Sequence, residues 1–376
     1  MKTTRRFAAM AFVLLTAGPG IADTNPTGSV DPALPRYQPG PADLSRVLHS
    51  IGSDAMETLV KRWAEIGRLA HPGLTLTYEI EQAWNSLAGV AEGRAQLAPM
   101  GRLPTKAEYL DFVQRTGYVP LSIVVAHSTL SRRDWPHPHA IFVHRDNPLT
   151  RLTLTQADAI FSKTRRRGYP SDIKTWGQLG LSGEWADKPI ALYGVRGPRN
   201  SGPANYFRER ALASGELKDD ITTVPSEDLL VPRIEADRYG IGFTGLPFET
   251  AGVKHLAIAE REGAPYSDGS VAELRAGTYP LGRVIYVHVD RAPGIPLDPA
   301  VKELLRIALS REGQEAAVAE GYLPLTAAEA AQQLARLDGT LGSAAAERAP
   351  LPLLATIPLP NVTGRFDHSA VDLEGQ

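Results

Sequence analysis

Residues 192–210 read LYGVRGPRNSGPANYFRER, and this stretch decides the fold. It begins as a short apolar strand, continues as a loop that carries Arg196 and Arg199, and ends in an aromatic helix that opens at Ser201-Gly202. This layout points free backbone N–H groups and a helix N-terminus at one spot, beside the two guanidinium groups. We therefore expect a small anion to bind at this turn.

A second strand-to-helix turn of the same kind lies far upstream, at His49-Ser50-Ile51-Gly52-Ser53-Asp54. The helix that follows, predicted over 55–69, carries apolar residues at helical spacing. Two such turns in one chain favour an α/β fold in which strands alternate with helices.

The hydrophobic pattern continues this alternation along the chain. It predicts two α/β domains, each a mixed, mostly parallel sheet with flanking helices, joined by crossing strands near 139–143 and 283–289. A helix capped by Thr153 and Gln156 is predicted to run to Phe161. The remaining predicted strands are 47–51, 74–80, 95–100, 121–126, 189–193, 239–244 and 254–258, and the remaining helices are 86–92, 105–116, 202–213, 229–238, 299–309 and 312–320.

The composition of the chain excludes several classes of function. The net charge of −2 and a pI near 6.5 give no basic field for nucleic acid. The absence of cysteine excludes disulfides, thiolate metal sites and cysteine nucleophiles. Four histidines cluster in sequence, but prolines flank two of them and no further ligand has a fixed spacing, so we expect loop residues and predict neither a metal nor a cofactor. These histidines are His127, His137, His139 and His144.

The N-terminus has the pattern of a secretory signal peptide over 1–22. Basic residues precede an apolar run at 7–17, and Gly20-Ile21-Ala22 provides a small-residue cleavage site. The apolar run is too short for a permanent membrane span, and we expect a periplasmic protein. Residues 23–45, rich in Pro, Gly and Asp, are predicted to be a linker.

Over residues 46–337 the chain resembles the phosphate-binding component of bacterial ABC importers, within the periplasmic binding protein superfamily. The motifs that carry the resemblance are Ile51-Gly52-Ser53-Asp54, EGRAQLAPM at 92–100, FVHRDNPL at 142–149 and IKTWGQLGLSGEW at 173–185. The resemblance implies a domain formed by 46–139 with 284–337, and a second domain at 140–283. It also implies a monomer that binds phosphate or a related oxyanion, delivers it to an ABC permease and performs no catalysis.

Carried over residue by residue, the resemblance places the oxyanion between four loops. Ser53 with the amides of Asp54 and Ala55 forms the first, Asn85 and Ser86 the second, and Met100 and Gly101 the third. Either Arg196 or Arg199, with Ser201 and Gly202, forms the fourth. Hydroxyl residues of the family are replaced here at Ala55, Gly101 and Pro203.

These replacements keep a second function open, that of a degenerate binding protein serving as a sensor or adaptor with another ligand or none. The tail, 338–376, supports a third alternative. Its stretch ATIPLPNVTGRFDHSAVDLEGQ resembles the start of a YVTN-type β-propeller. An enzyme or recognition protein whose propeller module is missing would account for it.

Overall fold

The computed structural model describes residues 28–40, 44–81, 83–131, 136–195 and 202–339, with the side chains of residues 83 and 84 left out. The predicted signal peptide and residues 340–376 of the predicted tail lie outside these ranges. The chain divides into two compact units. The first unit comprises Gln38–Val125, Tyr286–Leu309 and Ala327–Gln376, and the second comprises Met1–Tyr37, Ala126–Ile285 and Ser310–Thr326.

Strands and helices alternate through most of the described chain. The strands are β1 (Arg46–Gly52), β2 (Leu74–Ile80), β3 (Ala98–Met100), β4 (Leu121–Thr129), β5 (His139–His144), β6 (Arg151–Thr153), β7 (Ala191–Val195), β8 (Thr222–Val224), β9 (Gly240–Gly245), β10 (Val253–His255), β11 (Ala257–Ala259), β12 (Val284–Val289) and β13 (Tyr322–Leu323). The helices are α1 (Asp54–Ala70), α2 (Ala83–Ala91), α3 (Lys106–Thr116), α4 (Leu154–Phe161), α5 (Gly202–Ala211), α6 (Leu230–Glu235), α7 (Val271–Arg275), α8 (Pro299–Ala308), α9 (Arg311–Ala319) and α10 (Ala327–Leu337). Within the described ranges, no helix combines the length and apolar character needed to cross a bilayer.

The first unit is built on a parallel core of strands. β1 pairs in parallel with β2 along its whole length, and a parallel bridge joins Ser50 to Leu97, just before β3. β3 pairs antiparallel with β12. Ile51, Met100 and Phe112 are buried in the core of this unit, so the apolar face of α3 is fixed beside β1 and β3.

The second unit contains a five-stranded sheet in the order β10-β5-β9-β7-β8. β7 is parallel to β8 and β9, whereas β5 is antiparallel to its neighbours β9 and β10. Phe207 of α5 stacks on Phe243 of β9 with ring centroids 3.8 Å apart, and Phe161 meets both rings edge-on. Each buried phenylalanine contributes about 1.5–3 kcal/mol to folding, so these rings hold α4 and α5 on the sheet.

The predicted capping of α4 is confirmed. The Thr153 hydroxyl accepts the Gln156 N–H, and the Gln156 side chain accepts the Thr153 N–H. This exchange satisfies two backbone donors that a helix start leaves open.

The single strand predicted over 254–258 is wrong. Two short strands occupy this stretch, and they have different partners: β10 lies antiparallel to β5, and β11 lies parallel to β6. The chain changes partner at Leu256, whose N–H donates to the carbonyl of Ile141. An apolar pattern reports burial but not the strand to which a residue is bonded.

One predicted helix differs from its sequence-based boundaries. The helix predicted over 229–238 is shorter: a turn of 3₁₀ helix over Glu227–Leu229 precedes α6, which ends at Glu235. The chain passes from the first compact unit to the second inside β4 and returns inside β12.

Residues 28–40, which we call the N-terminal strap, lie in the predicted linker and are held by hydrogen bonds. Arg311 binds three strap carbonyls, those of Pro32, Leu34 and Pro35. The Tyr37 N–H donates to Glu312, and Leu34 is buried. In the first unit, the Gly40 N–H donates to the buried carboxylate of Glu303.

Candidate functional site

The three loops predicted in the first unit follow three strands that end at one edge of the sheet. β1 and β2 are parallel and end at Gly52 and Ile80, and the parallel bridge at Leu97 directs β3 the same way. Ligands of open α/β sheets bind beyond the carboxyl ends of their strands. Residues 53–55 and Gly101 directly follow the ends of β1 and β3, and residues 85–86 lie in the first part of α2, which follows β2.

Ser53 occupies the position before α1, and its hydroxyl is not used to cap the helix. Its backbone is extended, with φ −71° and ψ 155°, and it makes no side-chain capping bond. The Tyr78 hydroxyl donates to the Ser53 carbonyl at 2.7 Å, which fixes the turn. Within the described residues, the Ser53 hydroxyl therefore makes no capping bond, and it lies at a positively polarised helix end.

Asp54 and Ala55 interact with each other at the same helix start. The Asp54 carboxylate accepts the Ala55 N–H at 2.8 Å. An anion that used this amide would have to displace the carboxylate of Asp54, which is an exposed residue.

Gly52 is required by the close packing of this turn. A Cβ at this position would lie 2.7 Å from Cγ of Pro99 and would overlap the Tyr78 hydroxyl. The absence of a side chain at Gly52 lets β1, β2 and β3 end close together.

In the second predicted loop, Asn85 and Ser86 lie inside α2. Ser86 is fully buried, and its hydroxyl has no hydrogen-bond partner in the described part of the chain. Asn85 is half-buried. Of the two, Asn85 has the more accessible side chain.

Gly101 in the third loop is followed by a cation that sequence reasoning missed. Arg102 donates to both carboxylate oxygens of Glu108, at 2.7 and 2.8 Å, and both side chains are almost buried. Burial raises the pKa of Glu108, but the bonds and charge of Arg102 and the bonds from Thr105 outweigh it, so that pKa is lowered. Thr105 and Glu108 also form the capping box of α3, and this T-x-x-E spacing was the available sequence signal.

In the second unit, three parallel strands end at a common edge, at Val195, Val224 and Gly245. Of the predicted site residues there, Arg196, Arg199 and Ser201 lie outside the described residues. Gly202 opens α5 with a φ of +81°, a conformation that favours glycine.

The same edge carries polar residues that the sequence did not assign to a site. Glu227 accepts a bond from the Thr244 hydroxyl at 2.8 Å and lies 3.2 Å from Nε2 of His137. The ring of His137 lies 5.7 Å from that of His139, which packs 4.8 Å from the ring of Tyr206 in α5. Burial, with the charges of His137 and Arg283, lowers the pKa of His139 well below its ordinary value, so this ring is neutral.

The histidines do not form a metal centre in the part of the chain that the structure describes. No group of three or more His, Cys, Asp or Glu side chains there has the arrangement that a metal ion needs. The carboxylate of Glu227 and the imidazole of His137 therefore act at this edge as hydrogen-bonding groups.

Comparison with known proteins gives a consistent picture. A family model described as "PBP superfamily domain" matches residues 35–312. The phosphate-binding protein PstS of Pseudomonas aeruginosa is 40% identical over 341 residues, which cover 90% of this chain and 99% of that protein.

Solved structures support the same fold. Similar chains include PstS from Borrelia burgdorferi, with a TM-score of 0.56 and 15% identity over 75% of this chain and 99% of that one. A possible phosphate-binding protein from Planctomyces limnophilus has a TM-score of 0.53 and 18% identity over 79% of this chain and 99% of that one. At these identities the structural likeness supports the fold alone.

Proposed function

The chain belongs to the PBP superfamily and, within it, to the family of the phosphate-binding protein PstS, and on that premise we propose that it captures phosphate, or a closely related oxyanion, for an ABC transporter. The observation that carries the proposal is the 40% identity, which extends over 99% of the PstS relative. A shared domain alone would support the fold but not the ligand.

The geometry of the first unit supports an anion ligand. The start of α1, where the Ser53 hydroxyl makes no capping bond, lies at the edge where β1, β2 and β3 end. Helix-end amides and hydroxyl donors are the groups that bind oxyanions. The nearby cation of Arg102 is neutralised by Glu108, and the carboxylate of Asp54 accepts the Ala55 N–H, so an anion at this edge would be held by hydrogen-bond donors and not by a net positive charge.

We assign the ligand contacts to two sets of residues as part of this proposal. In the first unit they are Ser53, Asp54, Ala55, Asn85, Ser86 and Gly101. In the second they are Gly202 with Ser201 and one of Arg196 and Arg199. The predicted domain limits, 46–139 with 284–337 and 140–283, belong to the same proposal.

The protein is proposed to act by binding without turnover, as a monomer. It would be exported by the signal peptide at 1–22 to the periplasm and would deliver its ligand to an ABC permease. The missing hydroxyls at Ala55, Gly101 and Pro203 remove donors that would each contribute about 1.5–3 kcal/mol to binding a charged ligand. We therefore expect weaker binding than a full set of donors would give.

Calorimetric titration tests the proposal. The full chain would be produced in a bacterial host, purified from the periplasmic fraction and titrated with phosphate, arsenate and sulfate. We expect one phosphate per chain with a Kd of about 1–100 µM, which corresponds to about 5.5–8 kcal/mol. Failure to bind any of the three at millimolar concentration would leave the degenerate sensor or adaptor as the better account.

A further inference from the structure

A cavity lies at the amino ends of β7 and β8, on the opposite side of the second sheet from the edge where these strands end. Its volume is about 570 Å³. It is lined by residues that precede the two strands, among them Pro189 and Lys218, and by Lys163, which follows α4. All of its lining residues belong to the second unit. Ligand pockets in proteins have volumes of about 300–1,000 Å³, so the cavity is large enough for a small organic molecule.

Backbone pairing holds the walls of this cavity in place. An antiparallel bridge joins Ser162 to Leu217, and a second antiparallel bridge joins Thr175 to Pro189. Each bridge lies next to lining residues in the sequence. The side chains that line the cavity therefore project from segments whose backbone is fixed.

Part of the lining is apolar. Ile173 and Leu192 are buried in the core of the second unit, and Pro189 and Ile190 also line the cavity. A ligand that filled the cavity would place its own atoms against these side chains. Such a lining favours an organic molecule with an apolar part over a small inorganic ion.

Lys218 is a nearly buried cation in the same lining. Its side chain is 11% exposed. Its ammonium group donates to the carbonyl of Ala159 at 3.1 Å and lies 3.7 Å from the carboxylate of Asp172. An ammonium has three donors, and 3.7 Å exceeds the length of a hydrogen bond. Lys218 therefore keeps donors that no described residue accepts.

The neighbouring charges compensate Lys218 only in part. Asp172 is shared with Arg165, which lies closer to it. Burial lowers the pKa of Lys218, the charges of Asp172 and Asp220 oppose this shift, and the charge of Lys174 adds to it. Because that pKa stays lowered, the two carboxylates do not fully offset the burial of this ammonium group.

Two further lysines line the cavity, and they differ in their partners. Lys163 pairs with Asp219 at 2.6 Å. Lys174 is exposed, and its ammonium group makes no hydrogen bond or ion pair with the part of the chain that the structure describes. A carboxylate that entered beside Lys174 and Lys218 would supply the charged acceptor that both ammonium groups lack.

We propose that this cavity binds a small organic carboxylate, whose charged group pairs with Lys218 and Lys174 and whose apolar part lies against Ile173 and Leu192. The site is separate from the proposed phosphate site, because it lies at the amino ends of strands whose carboxyl ends face that site. The two sites are independent, and this one does not require that the chain capture phosphate.

A ligand series on the unmutated full chain gives the first test. Hexanoate and phenylacetate are titrated by calorimetry, each beside its uncharged amide, in buffer without phosphate and again in about 10 mM phosphate. We expect at least one carboxylate to bind about ten- to a hundredfold more tightly than its amide in both buffers, the range for a hydrogen bond to a charged group.

Three results of this series would overturn the inference. The first is that neither carboxylate binds at millimolar concentration, and the second is that each carboxylate binds no better than its amide. The third is that phosphate abolishes the binding, which would place the carboxylate at the proposed phosphate site.

The second test uses K218M, with K254M as the matched control. Burial also lowers the pKa of Lys254, but this lysine lies on β10, and β10 and β8 are opposite edge strands of the sheet. K218M should weaken carboxylate binding about tenfold or more, whereas K254M should change it less than about threefold. Neither variant should change the affinity for phosphate. Unchanged carboxylate binding in a folded K218M would contradict the inference.

K174M keeps the inference testable if K218M does not fold. It removes an exposed ammonium group that bonds to no described residue, so we expect an unchanged Tm and carboxylate binding weakened about threefold or more. Equal affinity in K174M and the unmutated chain would count against the cavity site. A chain that binds the carboxylate but no phosphate would keep the cavity site and would refute only the proposed phosphate capture.

Discussion

The carboxyl edges of the two sheets are built alike but hold their polar side chains differently. In the first unit the Ser53 hydroxyl makes no capping bond to α1, the Asp54 carboxylate accepts the Ala55 N–H, and Arg102 pairs with Glu108. In the second, the carboxylate of Glu227 is held by Thr244 of β9 and by His137, which lies 90 residues upstream of it. The same strand-to-helix architecture can therefore fix its polar groups through neighbours in the sequence or through residues far apart in it.

The largest expected effect comes from breaking the neutral pair at the first edge. R102A leaves the almost buried carboxylate of Glu108 without its charge partner and with only its bonds from Thr105, and we expect a loss of about 3–5 kcal/mol in the free energy of unfolding. Urea denaturation measures it. K302A is the matched control, since its pair with Asp338 in the same unit is nearly half exposed and contributes about 0–1 kcal/mol. Equal losses in the two variants would show that Arg102 is not a buried partner.

The next effect separates binding from folding at the first edge. S53A removes a hydroxyl that makes no capping bond, so we expect it to weaken phosphate binding by about 1.5–3 kcal/mol and to leave stability nearly unchanged. T105A should lower stability by about 1 kcal/mol, because the Thr105 hydroxyl caps α3. It should leave phosphate binding nearly unchanged. Calorimetry and urea denaturation of both variants test the contrast. A stability loss in S53A as large as that in T105A would refute it.

A pair of glycine substitutions compares how tightly the two edges are packed. G52A would press a methyl group against Tyr78 and Pro99, and G245A would press one into the ring of His137. We expect each to cost about 1–3 kcal/mol of stability, and only G245A to displace His137 from Glu227. Urea denaturation of the two variants measures the losses. Unchanged stability in either variant would contradict the close packing at that glycine.

The smallest effect is a pH dependence that arises from the pair of His255 and Glu249. The hydrogen bond that the His255 ring donates to the Glu249 carboxylate raises the pKa of His255. Burial raises the pKa of Glu249, but the bonds and charge of His255 outweigh it and lower that pKa. The contribution of His255 to the stability of the fold is complete at pH values below the pKa of this group in the unfolded chain. It is lost as the pH rises through the higher pKa of the folded protein. The Glu249 contribution is present above its unfolded pKa and is lost as the pH falls through its folded pKa.

H255Q should therefore lower the Tm most near pH 5–6 and progressively less toward pH 9. The pair is about a third exposed, so solvent screening limits its contribution to below about 1 kcal/mol. Thermal unfolding of both proteins from pH 5 to 9 provides the measurement. A Tm difference that grows toward pH 9 would contradict the assigned sign.

Much of the fold followed from patterns that are local in sequence. The strand predicted over 74–80 matches β2, and the capping box at Thr153 and Gln156 lies where it was predicted. The strand predicted over 254–258 failed, because its division between β10 and β11 depends on partners about a hundred residues upstream in the chain. Local periodicity records which residues are buried, but not which strands they join.

The candidate site shows the same difference between features that are local in sequence and features that are not. The turn at Ser53 was recognisable because glycine, a hydroxyl residue and a helix start are adjacent in the sequence. The link between His137 and Glu227 spans 90 residues, and nothing local marks it. Sequence analysis had singled out His137 as a member of a histidine cluster, but its partner is a carboxylate that only the folded sheet brings near.

The N-terminal strap has a practical consequence for anyone who shortens this chain. A truncation that began at β1, where the periodic pattern starts, would discard the partners of Arg311, Glu312 and Glu303. It would also uncover the surface against which Leu34 is buried. An N-terminal affinity tag should therefore be inserted between residue 22, where the predicted signal peptide ends, and residue 28. A library of truncations screened for soluble expression should show a sharp drop once the cut enters the strap.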